Sequence, residues 1–507
     1  MNLETAAHPE GLRRVAIDPI SRVEGHGKVT LLLDEEDHIQ QARLHIVEFR
    51  GFEKFIQGRP YWEVPVMVQR LCGICPVSHH LAASKALDQI VGAHQLTPTA
   101  EKLRRLMHYG QILQSHALHF FHLSSPDLLF GFDSEVAKRN IVGVAAAYPE
   151  VARQGVLLRK YGQEVIRHTA GKRIHGTGSV PGGVNKNLAL AERDALLKDI
   201  YQIIGWSLEA VHMARALFEQ NLEQYNAFGR FRTHTLSLIR ADGAMDLYHG
   251  GLRARAAGNN GDGKTIFDHV DYNHYWEHIL EEVKPWSYMK FPFLRALGPE
   301  AGWYRVGPLT RVTQCDFIPT PLAERERQAF LAFDGGRVTG ATLAYHWARM
   351  IEMLHAAEAI KELLHDADLQ GDELVVAEKD RGERQDRGIG MIEAPRGTLI
   401  HHYRVDENDQ VIRANLIVAT THNNQAMNEA VRQVARQYLD GRKLTEGLLN
   451  HIEVAIRAFD PCLSCATHAL GKMPLQVALL DAEGQEIDRM LRGACSAGVP
   501  ARSGPWL

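Results

Sequence analysis

Arg70-Leu71-Cys72-Gly73-Ile74-Cys75-Pro76-Val77-Ser78-His79 sets two thiols three residues apart where a helical pattern begins. Near the other end of the chain, Asp460-Pro461-Cys462-Leu463-Ser464-Cys465-Ala466-Thr467-His468 repeats the arrangement. Thiolates at i and i+3 can face one metal, a helix N-terminus lowers thiol pKa, and a nearby histidine can steady a sulfur ligand. Cys462 lies 387 positions after Cys75. A zinc ribbon keeps its pairs within a few tens of residues, so this separation suits a centre buried between the two ends of a large body. Four soft sulfurs select zinc, copper(I), nickel or iron, and the spacing does not choose among them. A thioredoxin-like redox pair would need a short βαβ context that is missing here.

Working outward, 81–90 carries apolar residues three and four apart, and Thr97-Pro98 is a helix start. Leu103, Leu106, Met107, Gly110 and Leu113 then trace one buried face. Further helices are expected over 191–220, 342–364, 425–439 and 445–459. Alternating residues predict hairpins from 28–33 with 42–47, and from 398–404 with 411–420. Residues 258–264 and 370–390 read as surface loops. No internal repeat is present. The expected fold is mainly α, with small β-sheets contributed from both ends.

The 507 residues are 45% hydrophobic and 23% charged, which excludes wholesale disorder and fibrous repeats. Lys plus Arg number 57 against 61 Asp plus Glu, a balance that argues against a nucleic-acid binder. No apolar run of about 18 residues marks a membrane span, and the N-terminus lacks the order of a signal peptide, so a cytoplasmic protein is expected. Six cysteines are too few for a disulfide framework. Gly258-Asn-Asn-Gly-Asp-Gly-Lys264-Thr265 matches the P-loop pattern, but no apolar strand precedes it and no helix pattern follows. A Gly/Asn-rich turn between short strands explains it better. His116, His119 and His122 fall at helical spacing and are weighed as a metal face against satisfied core groups. Cys315 and Cys495 read as structural cysteines.

The two cysteine motifs together resemble the large subunit of nickel–iron hydrogenases. Asp18-Pro-Ile-Ser-Arg-Val-Glu24-Gly-His26, Arg50-Gly-Phe-Glu53 and Glu393-Ala-Pro-Arg396-Gly-Thr-Leu399 support this, in the right order up to His468. The segments 48–54 and 461–471 most resemble the NAD-reducing subgroup. The resemblance implies a large helical-bundle body that catalyses reversible heterolytic cleavage of H2. Cys72 and Cys462 would be terminal nickel ligands, and Cys75 and Cys465 would bridge nickel to an iron carrying carbon monoxide and cyanide. Arg396, with Pro395 beside it, and Thr420 would contact the cyanides. Cys462 would take the proton and Glu24, raised in pKa by burial, would relay it, with Arg396 a competing base that the sequence leaves open. His79 would steady a bridging sulfur. Glu53, His468 and the carbonyl of Leu416 resemble a separate magnesium or iron site, and oxygen ligation suits magnesium.

Two departures stand out. Mature members of the family end at the histidine matching His468, whereas 39 residues follow it here. The resemblance therefore implies a catalytic body over 1–468 and an extension over 469–507, cut by an endopeptidase between His468 and Ala469 after nickel-insertion proteins have acted. Ser115-His116 stands where many relatives carry Asp-His, leaving Asp460 as the carboxylate above the metals. Expected partners are a flavin-containing NAD-reducing module and a small iron–sulfur subunit, which would hold the FMN, NAD and iron–sulfur clusters. Two other readings are carried forward, a P-loop nucleotide hydrolase and a zinc-stabilised non-catalytic subunit of a respiratory-type complex.

Overall fold

The structure, a computed structural model, describes residues 11–258, 263–467, 475–480 and 486–492. Five long helices build the body: α1 (Pro76–Ile90), α2 (Pro98–Leu118), α3 (Pro149–Ala170), α4 (Leu190–Gln220) and α5 (Ala344–His365). The shorter α6 (Asn424–Val434) and α7 (Glu446–Ala458) precede the second cysteine pair. The start of α2 is as the sequence predicts, with Pro98 in the first turn and the Thr97 hydroxyl accepting from the Ala100 N–H at 3.2 Å.

The expected face of α2 is buried, but so are Arg104, His108, Gln111 and Ser115 on its other sides. It is the central helix, and its buried charge is paired internally: Arg104 forks onto Asp88 at 2.5 and 3.0 Å. Leu113 and Ile112 of α2, Leu158 and Val165 of α3, Ile200 and Val211 of α4, and Trp347 and Ile351 of α5 share one apolar core. The segment expected as one helix over 425–439 is α-helical to Val434 and π-helical from Ala435 to Leu439.

The first hairpin forms as expected, extended to an antiparallel sheet of β1 (Arg13–Ile17), β2 (Gly27–Leu33) and β3 (Ile39–Ile46). Sheets do not come from the ends alone, however. A four-stranded sheet in the middle of the chain contains β4 (His234–Ile239), β5 (Gly251–Arg255), β6 (Thr265–Val270) and β7 (Tyr304–Arg305), in the order β7-β4-β5-β6. Its strands are short and carry His and Arg, so their alternation is weak in the sequence. β5 and β6 pair antiparallel around the P-loop-like segment, placing a strand where a P-loop requires a helix. That excludes the nucleotide-hydrolase reading.

A third antiparallel sheet holds β8 (Arg387–Ala394), β9 (Gly397–Val405) and β10 (Val411–Ile417). The end of the loop expected over 370–390 is therefore strand. Its glycines mislead because they serve packing: a Cβ on Gly388 or Gly390 would stand 1.9 Å from the carbonyl oxygen of Ala86 or Ala82 on α1. β10 ends before position 420, and Ala419–His422 forms a helical turn. Beyond the body, β11 (Leu475–Leu480) and β12 (Glu486–Arg492) pair antiparallel. Among the described residues, no helix is long and apolar enough to cross a membrane.

Candidate metal centre

The four paired cysteines meet. Their sulfurs lie within 4.8 Å of one another, all buried, with Cys72 Sγ 3.2 Å from Cys462 Sγ and Cys75 Sγ 3.9 Å from Cys465 Sγ. Cys72 is extended after the 3₁₀ turn Val68–Leu71, and the N–H groups of Ile74 and Cys75 donate to its sulfur at 3.1 and 3.2 Å. Cys75 caps α1. Cys462 precedes and Cys465 ends the short turn Leu463–Cys465, tied down where the Cys462 N–H donates to Thr420 Oγ1 at 3.0 Å. Hydrogen bonds from the other three thiols hold Cys75 well below the usual thiol range, and burial pushes Cys462 and Cys465 above it. A divalent cation overrides such shifts by deprotonating its thiol ligands.

The cluster does not close on itself. Cys75 and Cys462 open onto a small cavity of about 10 Å³, room for one water-sized sphere, whose wall includes Pro395, Arg396, Leu399, Val418 and Thr420. A structural zinc site is closed, whereas this donor set faces space lined by apolar side chains and by Ser78, His79, Arg396 and Thr420. Pro395 and Arg396 form the tip of the β8–β9 hairpin, where Ala394 pairs with Gly397. Arg396 lies in a turn, as an ordinary surface arginine would, yet it is only 3% exposed. Its Nε donates to the Asp460 carbonyl and its Nη2 to Asp460 Oδ1 at 3.1 Å. Burial opposes the charge, but Asp460 and the thiols together raise the guanidinium pKa well above its ordinary value.

Glu24 stands on the other side of Cys462, whose thiol donates to Glu24 Oε2 at 2.9 Å. The Ser464 N–H donates to the same oxygen at 3.2 Å and its hydroxyl to Oε1. Glu24 is half-buried, not sealed inside as the relay role led us to expect. His79 adds a hydrogen bond that lowers Cys75 further, and its Nδ1 lies 3.1 Å from His401 Nε2.

Glu53 and Leu416 also meet, the Leu416 N–H donating to Glu53 Oε1 at 2.9 Å. His468 lies outside the described residues, but Thr467 accepts from the N–H groups of Arg50 and Gly51 at 3.0 and 3.3 Å, which brings the end of the body beside Glu53. Lys290 sits between Glu53, at 3.9 Å, and Glu281, at 2.9 Å. Burial raises the Glu53 pKa, and Glu281 Oε1 is buried without a partner. The carboxylates of Glu53 and Glu281, with Lys290 and Arg413 as the cations near Glu53, offer the oxygen donors that suit a magnesium ion.

Of the helically spaced histidines, His116 on α2 and His119 just beyond it are buried in the core, and His122 is half-buried. His116 Nε2 is 2.8 Å from Glu352, itself paired with Arg311, while His119 turns to Asp460. Cys315 is buried and its pKa is pushed up to about 12 by burial, as suits a structural thiol; Cys495 lies outside the described residues. Glu281, Lys290 and His401 escaped sequence reasoning. A single buried polar residue carries no local pattern, although His119 did stand out by its spacing.

These features define a nickel-dependent hydrogenase. The chain belongs to that family, whose model matches residues 50–135 and 238–468, and residues 14–49 match the HoxL-like model. It is 49% identical over 492 residues to the beta chain of the NAD-reducing hydrogenase HoxS of Cupriavidus necator, covering 95% of this chain and 100% of that one. It is 39% identical over 486 residues to a chain of the F420-non-reducing hydrogenase of Methanothermobacter thermautotrophicus, covering 94% and 100%. A solved NAD+-reducing [NiFe]-hydrogenase in the H2-reduced state shares 61% identity and a TM-score of 0.87, over 90% of this chain and 99% of that one. The Ni-Fe-Se hydrogenase of D. vulgaris Hildenborough, at 23% identity and a TM-score of 0.72 over 90% and 100%, shares the fold. The protein is thus a nickel–iron hydrogenase catalytic subunit close to the NAD-reducing type, and it has the expected mainly helical fold with small sheets.

Proposed function

We propose that this subunit cleaves H2 heterolytically and reversibly, using Cys72, Cys75, Cys462 and Cys465 to hold nickel and iron. The observation that carries this reading is a cluster of four buried thiols, of which Cys75 and Cys462 open onto a cavity walled by Arg396, while Cys462 also meets the Glu24 carboxylate. The bound nickel–iron centre would supply the Lewis acidity and redox capacity that H2 cleavage needs. Cavity, Arg396 and Thr420 fit an iron bearing carbon monoxide and cyanide: apolar walls suit the first, and N–H and O–H donors suit the second.

The chain's own groups manage the proton. The Cys462 sulfur accepts it and Glu24, at 2.9 Å, receives it next, while Ser464 orients the carboxylate. Arg396 acts as a donor and not as the base, because Asp460 and the thiols hold its charge so firmly. His79 steadies Cys75 from behind. Apolar Leu399 and Val418 exclude water from the cavity. H2 yields two protons and two electrons, and the electrons leave through a partner iron–sulfur subunit towards an FMN- and NAD-binding module. Glu53, with Leu416 and His468, would hold magnesium or iron. The five described cysteines are free, which accords with a cytoplasmic setting. Residues 469–507 form the extension that an endopeptidase removes after nickel insertion.

Infrared spectroscopy with metal analysis of the purified complex tests this. Bands of metal-bound carbon monoxide and cyanide, with nickel and iron near one each per chain, are expected. Zinc alone in the four-thiol site would overturn the reading and favour the non-catalytic role instead.

A further inference from the structure

Asp460, the anchor of Arg396, is itself held from behind. α2 runs into a π-helical turn, His119–Ser124, before the chain resumes α-helix. The wider turn swings His119 towards Asp460, where Nδ1 lies 3.0 Å from Oδ1, though bent away from the line of a full hydrogen bond. The same turn supplies the other partner of the ring: the Ser124 hydroxyl lies 3.0 Å from His119 Nε2. A hydroxyl donating there leaves the proton on Nδ1, facing the carboxylate. His346 stacks on the ring at 5.5 Å and 9°, and all these groups are buried. Asp460 has a left-handed backbone, φ 53°, a conformation that costs a non-glycine residue energy. Arg396 holds that conformation by binding both its carbonyl and its carboxylate. Arg396 Nη1 is left with the Ser115 hydroxyl at 3.5 Å, the limit of a hydrogen bond, so it remains the uncommitted donor beside the cavity.

We infer that Ser124 and His119 are positioning residues that, through Asp460, set how the Arg396 fork presents its free nitrogen to the cavity. This rests on reading that cavity as the iron side of a nickel–iron centre. Infrared spectra and H2-oxidation kinetics of the metal-loaded complex test it in His119→Leu, His119→Asn and Ser124→Ala. The asparagine amide can reach the position of Nδ1. His119→Leu is expected to keep nickel and iron, shift the cyanide bands and lower kcat by roughly 10- to 100-fold with KM for H2 little changed. His119→Asn should restore both readouts, and Ser124→Ala should shift the bands in the same direction by less. Cyanide bands in His119→Leu and Ser124→Ala that coincide with those of the unaltered protein would overturn the inference. Where His119→Leu fails to accumulate, the same coincidence in Ser124→Ala alone would do so. Absence of these bands from the unaltered, metal-loaded protein would instead bring down the reading of the cavity, and this inference with it.

Discussion

Glu24 shows what one residue owes to its neighbours. In the sequence it passes for a helix cap or a surface ion pair, and only the Cys462 thiol at 2.9 Å gives it chemistry. Glu24→Gln keeps the shape and the bonds from Ser464 but cannot carry a proton. We expect H2 oxidation to fall by about 10²- to 10⁴-fold while nickel and iron content stay unchanged, measured by H2-dependent dye reduction. Ser115 makes a contrasting prediction. Its hydroxyl is 3.5 Å from Arg396, too long to hold the fork, so Ser115→Ala should leave the same rate within about threefold. The cysteines, by contrast, were legible at this scale, because paired thiols at fixed spacing are rare by chance. Arg396 was legible only through its motif, since its burial and its grip on Asp460 depend on partners 64 positions away.

At the scale of elements, the contact of α1 with β8 carries the first cysteine pair. Gly390 lets the strand approach until a Cβ would meet the Ala82 carbonyl at 1.9 Å. Gly390→Ala should therefore destabilise the folded chain by about 1 to 3 kcal/mol, read from denaturant midpoints. Lys85 pins the same layer, donating to the carbonyls of Tyr248 and Met391 at 2.6 and 2.8 Å. Burial lowers its pKa from 10.5 to about 8. Between pH 8 and 10 the unfolded chain binds a proton there that the folded chain lacks, so folding gains stability as pH rises. Stability of the unaltered chain should rise across this window relative to Lys85→Met, and parallel curves would refute it. Helices over 191–220 and 445–459 were legible because their apolar period is long, and β5 and β6 as short strands around a Gly/Asn-rich turn; β4, β7 and β8 were not, because short strands with buried charges and glycines imitate loops.

At the scale of the molecule, the centre joins parts of the chain 390 positions apart. Metal held by all four thiolates should raise the thermal midpoint of the chain, and stripping it should lower the midpoint, because the ligands lie together only in the folded state. Intact-mass analysis of active enzyme should find no residues beyond His468; Leu507 still present in an active preparation would refute the proposed processing. The sequence by itself determined the donor set, the family and most of the helical body, because thiol spacing and helical period are local properties. Only the tertiary structure decided what those thiols face: the cavity walled by Arg396 and Thr420, the Glu24 contact, the Glu281–Lys290 pair beside Glu53, and His119 behind Asp460. These depend on distances between segments far apart in the chain, which no local pattern encodes, and on burial, which sets the charge each group can bear.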